Sequence, residues 1–265
     1  MARIPCVSHR VTYGGKAESF TVVPIGDVHL GNEACDEERL KETVKRVQED
    51  DHCYWVGMGD YCEWINRKDW RYDPMASPSW LWSVGDMAKA QRERIIEILS
   101  PIGGDKCLGL IEGNHERTIL QHYERDVYTT IAEALGTRCL GPLGFVRLTF
   151  ERLKSNRQLF VIMATHGWWG GRLMGAGGLN LERIVGWSNA DITLAGHDHK
   201  RRAFPLSRLV AMKNDTVEQR EVWAVSTGSY LDGARYAQAK GYRPLPIGSP
   251  EIIITPFKRR IQVLQ

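Results

Sequence analysis

The sequence predicts an α/β protein in which two sheets pack together and helices cover their outer faces. In the first half of the chain, short runs of Val, Ile and Leu alternate with segments of helical periodicity, and strand-like runs dominate the second half. The 265 residues are 43% hydrophobic and 25% charged, which suffices for a sizeable core. We therefore expect one domain over residues 1–265, with an insertion rich in Trp and Arg at about 63–85.

Three strands and three helices are predicted in the first half. Leu40, Val44 and Val47 share one face of the first helix, whose acidic residues precede its basic residues, as the helix dipole favours. Pro101 stops the second helix and Gly136 ends the third. The predicted strands are Phe20–Ile25, Cys53–Val56 and Leu108–Ile111, and the predicted helices are Asp36–Glu49, Asp86–Leu99 and Tyr123–Leu135.

The second half is richer in strands. Its apolar runs are short and contain many β-branched and aromatic residues, which is typical of strands. The predicted strands are Phe145–Phe150, Leu159–Ala164, Ile192–Ala195, Glu221–Val225, Ile252–Thr255 and Arg260–Leu264, and a short helix is predicted at Leu179–Gly186. Two sheets with outer helices account for this order of elements.

Composition and charge exclude several classes of protein. The formal net charge of +3 does not indicate a surface that coats polyanions, although a local basic patch would still allow a nucleic-acid substrate. The six cysteines form no CxxC pair, which argues against a zinc ribbon or a thioredoxin-type site. No apolar run approaches the ~20 residues of a membrane span, and the first ten residues lack a signal-peptide core. We expect a cytoplasmic protein with reduced thiols and no membrane partner.

Five short polar motifs each follow a predicted strand. They are GDVH at 26–29, GD at 59–60, GNHE at 113–116, TH at 165–166 and GHDH at 196–199. Ligand crevices in α/β sheets lie beyond the carboxyl ends of the strands, and glycines in such turns let the backbone approach a ligand closely. The five motifs are therefore expected to meet at one crevice.

The side chains in these motifs are those of a two-metal hydrolytic site. Such a site needs a bridging carboxylate together with neutral imidazoles and further oxygen ligands. Asp60 is the candidate bridge, and the outer residues of the 27–29 and 197–199 segments would point the same way if those segments were extended. The remaining candidate ligands are Asp27, His29 and His199 for one metal and Asn114, His166 and His197 for the other. His115 is expected to protonate the leaving oxygen rather than to bind metal.

Together and in this order, the motifs resemble those of the calcineurin-like metallophosphoesterase superfamily over about residues 26–199. The resemblance implies a four-layer α/β/β/α sandwich of two mixed sheets flanked by helices. It also implies a dinuclear metal centre whose bridging hydroxide attacks phosphorus in line. Manganese is the first expectation for the two divalent metal ions, with iron, zinc, nickel or magnesium as alternatives, because N and O donors alone do not choose among them. The glycine-rich loop before GHDH is similar to that of phage and prophage members.

One further role and one departure follow from the same resemblance. In protein Ser/Thr phosphatases of the superfamily an acid at the position of Glu63 orients the catalytic histidine, which here is His115. The alternative is that Glu63 is a solvent-exposed acid at the start of a helix. The next residue in those phosphatases is an arginine that grips phosphate, whereas this chain has Trp64, which argues against a protein phosphatase.

Two segments between the motifs allow two interpretations each. The insertion interleaves aromatic and basic residues that could stack on nucleic-acid bases, or it forms a small packed subdomain or oligomer contact. These residues are Trp64, Arg67, Lys68, Trp70, Arg71, Trp80 and Trp82. The glycine-rich stretch at 166–178 is either a substrate gate in which Arg172 grips a phosphate oxygen, or a tight loop with a solvated arginine.

The sequence therefore predicts a dinuclear metal-dependent phosphoester hydrolase. A phosphodiester substrate, nucleic acid or nucleotide, is favoured over a phosphomonoester because the phosphate-gripping arginine is missing and the insertion is aromatic and basic. A phosphomonoesterase or a nucleotide pyrophosphatase on the same scaffold is the alternative. A non-catalytic scaffold is a remote alternative, because every candidate ligand position is filled, and a homo-oligomer remains open.

Overall fold

A computed structural model of the protein describes residues 3–69, 71–154, 156–171, 173–212 and 214–265. Trp70 and Arg172, two residues singled out from the sequence, lie outside the described residues. The strands are β1 Cys6–Tyr13, β2 Phe20–Ile25, β3 Cys53–Gly57, β4 Cys107–Leu110, β5 Leu143–Arg152, β6 Asn156–Thr165, β7 Ile192–Ala195, β8 Arg201–Ala211, β9 Val217–Thr227, β10 Glu251–Thr255 and β11 Arg260–Leu264. The helices are α1 Glu37–Glu49, α2 Met87–Leu99, α3 Asn114–Tyr123, α4 Val127–Ala134, α5 Met174–Val185 and α6 Arg235–Ala239.

The strands form two mixed sheets. The five-stranded sheet has the order β11-β10-β2-β3-β4, in which β2, β3 and β4 run parallel and the other two pairings are antiparallel. The six-stranded sheet has the order β1-β5-β6-β7-β9-β8, in which β6, β7 and β9 run parallel. Each sheet thus has parallel neighbours whose carboxyl ends lie side by side, which is where ligand crevices form.

Three hydrophobic cores separate four layers. The central core lies between the sheets and contains side chains of both, among them Val22 of β2 and Ile162 of β6. A second core joins the outer face of the five-stranded sheet to α1, α2, α3 and α4, and a third joins the outer face of the six-stranded sheet to α5. The predicted α/β/β/α arrangement of two mixed sheets flanked by helices is confirmed.

Local sequence explains the elements that were predicted from it. Strand β2 is buried along its whole length, as a central strand covered on both faces must be. Helix α1 begins after Asp36, whose carboxylate accepts a hydrogen bond from the backbone N–H of Arg39. Its predicted apolar face of Leu40, Val44 and Val47 is buried. These residues pack α1 onto the sheet and leave its charged face in solvent.

The predicted helix at Tyr123–Leu135 is wrong at its amino end. Helix α3 ends at Tyr123, where Glu124 adopts a left-handed conformation with φ of 55°, and α4 begins after Asp126. The carboxylate of Asp126 accepts from the backbone N–H of Thr129 and caps the new helix. Helix α3 itself was not predicted, because Gly113 and Asn114 suggested a turn.

Three further elements were absent from the prediction, namely β1, β8 and α6, and α5 begins at Met174 rather than at Leu179. Glycines at 175, 177 and 178 argue locally against that first turn of α5. Gly177 nevertheless has a packing reason, because a Cβ there would lie 2.1 Å from Oδ2 of Asp198. None of the helices that the structure describes combines the length and the hydropathy that a bilayer crossing requires.

Candidate metal centre

The loops after β2 and β3 are hydrogen-bonded to each other, and this brings the first two motifs together. The backbone N–H of Asp27 donates to the carbonyl of Gly59 over 2.9 Å, and that of His29 donates to the carbonyl of Asp60 over 3.0 Å. Because β2 and β3 are parallel neighbours, both loops leave the same edge of the five-stranded sheet. The edge of the six-stranded sheet delivers His166 after β6, and His197 and His199 after β7.

Most of the candidate ligands adopt a backbone conformation that non-glycine residues rarely use. Values of φ lie between 47° and 72° at Asp27, His29, Asp60, His197 and His199. The expectation that 27–29 and 197–199 are extended is therefore wrong, although the outer side chains of both segments still converge. Left-handed residues cost about 1–3 kcal/mol each and cluster where function requires a side chain in a particular place.

The first cluster of donor atoms contains Asp27, His29 and His199. Nε2 of His29 lies 3.2 Å from Nε2 of His199, and that nitrogen of His199 lies 3.5 Å from Oδ1 of Asp27. One ligand atom from each of the three residues lies within 4.8 Å of the others. Asp27 and His29 are buried and His199 is half-buried, so the cluster is open towards solvent on one side only.

The second cluster contains Asn114, His166 and His197. Oδ1 of Asn114 lies 3.0 Å from Nε2 of His166 and 2.8 Å from Nδ1 of His197. The other ring nitrogen of His166 lies 2.8 Å from the carbonyl oxygen of Met58, so Nδ1–H donates there and leaves Nε2 as the ligand atom. Asn114 is exposed at the start of α3.

Asp60 lies between the two clusters. Its Oδ2 is 3.2 Å from Nε2 of His166 and 3.8 Å from Nε2 of His29. Its Oδ1 accepts a hydrogen bond from the backbone N–H of His115 over 2.9 Å. The structure thus brings all seven candidate ligands together, with Asp60 in the position of a bridge.

Glu116 supports the Asp60 loop, and sequence reasoning left its role open. Its buried carboxylate accepts from the backbone N–H groups of Asp60 and Tyr61, over 2.8 and 2.9 Å, and from the indole N–H of Trp64. The backbone N–H of Gly113 donates to the same carboxylate at the start of α3. A glutamate at the third position of a helix is the sequence signal that would have identified it.

The Glu63 carboxylate contacts His29, not His115 as the sequence suggested. Oε2 of Glu63 lies 3.1 Å from Nδ1 of His29, an arrangement that would fix the tautomer of a metal-binding imidazole and that leaves Nε2 facing His199 over 3.2 Å. Nδ1 of His115 instead lies 2.5 Å from the backbone carbonyl oxygen of Glu63. Glu63 is half-buried rather than solvent-exposed, and its described hydrogen bond with His115 comes from its backbone carbonyl.

Burial and charge move the pKa values of these groups in opposite directions. Burial raises the pKa of Asp27 to about 7. Burial also opposes the charge on Asp60, but the imidazoles of His166 and His115 outweigh it and hold the pKa of Asp60 well below its usual range. Burial would lower the pKa of His29, yet the hydrogen bond and charge of Glu63 raise it to about 9. Asp60 likewise raises the pKa of His166 to about 10, against the effect of burial.

The donor set fits divalent transition metals. It combines imidazole nitrogens with carboxylate and amide oxygens. In each group of three, the imidazole and carboxylate ligand atoms lie within 4.8 Å of one another, which is close enough to share a cation. A ring nitrogen of His115 also lies within 4.8 Å of ligand atoms of His29 and Asp60. The buried carboxylates of Asp27 and Asp60 need positive charge beside them, which His29 and His166 supply when they are protonated and which bound cations would supply in their place.

Two cavities meet at the centre. The first, here called the metal-side lobe, has a volume of about 630 Å³ and is bordered by five of the seven candidate ligands, by the glycines at 170 and 171, and by residues 242–247. The second, called the insertion-side lobe, has a volume of about 1000 Å³ and is bordered by residues 71–73 and by α6. Glu63, His115, Gly233 and Gln238 line both lobes. The contribution of residues 229–247 was not anticipated from the sequence.

The glycine-rich stretch at 166–178 comprises a loop and the first turn of α5, and the loop is hydrogen-bonded to Lys200. Nζ of Lys200 donates to the carbonyl of Gly171 over 2.5 Å. The carboxylate of Asp198, which follows His197, accepts hydrogen bonds from Arg202 over 2.6 Å and from Ser226 over 3.0 Å. These contacts favour a tight loop over a wide gate for this part of the segment.

Three of the six described aromatic and basic residues of the insertion pack against the protein. Trp64 is buried, Trp80 packs under the guanidinium of Arg94 at 4.7 Å from its ring centroid, and Arg67 donates to the carbonyls of Leu81, Trp82 and Val84. Trp82 is exposed. The packed interpretation therefore holds for Trp64, Arg67 and Trp80, whereas Arg71 borders the insertion-side lobe.

Comparison with known proteins finds similarity at the level of solved structures alone. No protein-family model and no curated protein matches the chain. A conserved uncharacterized protein from Streptococcus pneumoniae TIGR4, described as a predicted phosphoesterase, is 14% identical with a TM-score of 0.36, over 89% of this chain and 83% of that one. A metallophosphoesterase from Sphaerobacter thermophilus is 14% identical with a TM-score of 0.41, over 92% of this chain and 87% of that one. Similarity this weak carries no argument about activity.

Proposed function

We propose that the chain is a metal-dependent phosphoester hydrolase that holds two divalent cations at the centre described above. The position of Asp60 carries the proposal, since its Oδ2 lies within 3.8 Å of one donor cluster and 3.2 Å of the other. Two cations bound there would activate water for in-line attack and neutralise charge on the phosphoryl oxygens. Manganese is proposed first, with iron, zinc, nickel or magnesium as alternatives that the same donors accept.

Each ligand residue has a defined part in this proposal. Asp60 contributes to both cation positions, and Glu63 holds His29 in the tautomer that leaves Nε2 unprotonated. One position uses Asp27, His29 and His199, and the other uses Asn114, His166 and His197. Glu116 acts on the backbone of the Asp60 loop and so positions the bridge.

His115 is proposed as the general acid. Its Nδ1–H donates to the carbonyl of Glu63, so Nε2 is the ring nitrogen that exchanges a proton with the substrate. The backbone N–H of His115 is tied to Asp60, which keeps the ring next to the bridging carboxylate. A protonated Nε2 would donate to the leaving oxygen as its bond to phosphorus breaks.

A phosphodiester is the proposed substrate class, because the cavity extends to both sides of His115. A diester carries a substituent on each side of phosphorus, and each lobe has room for one. A phosphomonoesterase or nucleotide pyrophosphatase would use the same centre and remains the alternative. The cytoplasmic location expected from the sequence stays a prediction, and a homo-oligomer stays open as it did there.

The test compares two chromogenic substrates with Mn²⁺ and purified protein. We expect faster hydrolysis of bis-p-nitrophenyl phosphate than of p-nitrophenyl phosphate, and a strong preference for the monoester would contradict the diester proposal. His115→Ala should lower kcat by about 10²–10⁴-fold while the bound metal stays constant. Asp60→Asn should lower both activity and bound metal. His122→Ala, at an exposed histidine outside the motifs, is the matched control.

A further inference from the structure

The insertion-side lobe begins at His115. That residue and Glu63 border both lobes, so the lobes are continuous at the proposed general acid. The metal-side lobe is bordered by five of the seven candidate metal ligands, whereas none of the seven borders the insertion-side lobe. A group that leaves phosphorus after protonation by His115 therefore has the insertion-side lobe next to it.

Arg71 presents a fixed guanidinium to this lobe. Its Nε and Nη2 donate to the two oxygens of the Asp69 carboxylate over 3.0 and 2.8 Å. The side chain of Asp69 is 8% exposed and that of Arg71 is 30% exposed, so the pair is anchored on its Asp69 side. The ion pair offsets the charge of Arg71, but a guanidinium has five N–H donors, and three of them remain for a ligand.

The carboxylates that line the insertion-side lobe are already engaged. Glu33 accepts from Nε of Arg235 over 2.6 Å, Glu63 contacts His29, and Asp73 accepts from the backbone N–H of Met75 over 2.9 Å. Lys240 also borders the lobe and forms no ion pair with the residues that the structure describes. Glu33 and Glu63 thus have partners that carry or accept positive charge, and Asp73 keeps its own charge at the exposed rim. Arg71 and Lys240 supply the N–H donors that an anion would bind.

Tyr72 adds an aromatic surface beside Arg71. Its backbone N–H donates to the carbonyl of Asp69 over 2.9 Å, so the same short turn positions the phenol ring and the guanidinium. Both side chains are half-buried and border the lobe. An aromatic ring next to a fixed guanidinium is the combination that binds a base and its phosphate in single-stranded nucleic acids.

We propose that the insertion-side lobe binds the leaving side of a nucleotide chain, with Arg71 as the anchor for a phosphate on that side. Asp69 is the positioning residue that holds Arg71. The inference rests on the proposed phosphodiester hydrolysis and deepens it. In that reaction water adds to phosphorus, the bond from phosphorus to the leaving oxygen breaks, and the electron pair stays on that oxygen. His115 supplies its proton, and the products are a phosphomonoester and an alcohol.

The experiment compares three dinucleotides with Mn²⁺, namely TpT, pTpT and TpTp. Whichever P–O bond breaks, either pTpT or TpTp carries its extra phosphate on the leaving side. The wild-type enzyme should show a kcat/KM for that substrate about tenfold or more above its value for TpT, as expected for a charge-assisted hydrogen bond. Arg71→Ala should reduce the ratio of the two kcat/KM values to about one. Arg71→Lys should not restore the preference, because an ammonium group cannot donate two parallel hydrogen bonds to a phosphate as a guanidinium does.

Two further variants separate anchoring from structural damage. Asp69→Asn should raise KM for the phosphorylated dinucleotide and leave kcat nearly constant, because it loosens Arg71 without touching the reacting atoms. Lys45→Ala removes an exposed lysine of α1 and should preserve the wild-type ratio. A wild-type enzyme without preference for either phosphorylated form, or a preference that survives Arg71→Ala, overturns the proposal. Failure to hydrolyse bis-p-nitrophenyl phosphate would instead count against the proposed function.

Discussion

Glu63 lies outside the five motifs, three residues after Asp60, and the contact of its side chain with His29 sets the orientation of a candidate ligand. The motifs supplied the ligand identities, because Asp, His and Asn side chains at strand ends have few other uses in this pattern. The partner of Glu63 could not be predicted from sequence. His29 and His115 pack with their ring centroids 4.8 Å apart, and backbone geometry decides which of them the carboxylate reaches.

Removal of the Glu63 charge should weaken metal binding. We expect Glu63→Gln to lower Mn²⁺ affinity by about 10–100-fold, because the amide no longer stabilises the tautomer of His29 that ligates through Nε2. Calorimetric titration measures the effect, and Glu42→Gln, at an exposed acid of α1, is the control. An unchanged affinity would mean that Glu63 does not support the centre.

Metal binding should release protons. The raised pKa values of His29, about 9, and His166, about 10, keep both rings protonated in the metal-free protein at pH 7.5, whereas a ligand imidazole must be neutral. We therefore expect about two protons to be released at that pH, and the apparent affinity to fall as the pH is lowered. Calorimetric titration of the protein with Mn²⁺ in buffers of different ionisation enthalpy measures the number of protons released. Binding without proton release would contradict these pKa shifts.

Among the helices, α3 and α5 show where the sequence-based prediction failed, because α3 was not predicted and the start of α5 was placed too late. The buried strands and α1 and α2 were predictable because their apolar periodicity and Asp caps agree. Helix α3 was not predicted because it begins with Asn114 after Gly113, a pair that is typical of turns. The hydrogen bond from the backbone N–H of Asp60 to the carboxylate of Glu116 explains why a helix begins there, and it is visible only in the structure. Helix α5 has a glycine-rich first turn, and tertiary packing overrides that local preference.

Two neighbouring glycines of α5 should respond oppositely to the same change. A Cβ at Gly177 would meet Oδ2 of Asp198 at 2.1 Å and both terminal nitrogens of Arg202, so Gly177→Ala should cost about 1–3 kcal/mol through overpacking. A Cβ at Gly178 would meet nothing within 4 Å, so Gly178→Ala should stabilise by about 0.5–1 kcal/mol through helix propensity. Urea unfolding measures both. Equal effects would show that Gly177 is not held against the Asp198–Arg202 pair.

At the scale of the whole molecule, the candidate centre joins the two sheets. Asp27 and Asp60 follow strands of the five-stranded sheet, and His166, His197 and His199 follow strands of the six-stranded sheet. The layer order could be predicted from the alternation of strands and helices together with the motif resemblance. The lobes beside the centre could not, because residues 229–247 and the insertion carry no periodic pattern and only the fold brings them together.

Bound metal should stabilise the fold, because ligands from both sheets would share the same cations. At a concentration 100-fold above the dissociation constant, Mn²⁺ should add about 2.7 kcal/mol and raise Tm. Differential scanning calorimetry with and without a chelator measures this, and Asp60→Asn should remove most of the shift. A Tm that is independent of Mn²⁺ in the wild-type protein would show that the sheets are not joined in this way.

Metal analysis by mass spectrometry of the reconstituted protein, alongside Asp60→Asn, tests the two-cation centre most directly. We expect about two Mn²⁺ per chain in the wild type, as a two-metal site requires, with phosphodiester hydrolysis rising with metal content. Asp60→Asn should lose bound Mn²⁺ and phosphodiester hydrolysis together. A wild-type chain that retains none of the five candidate ions after reconstitution would contradict the central claim.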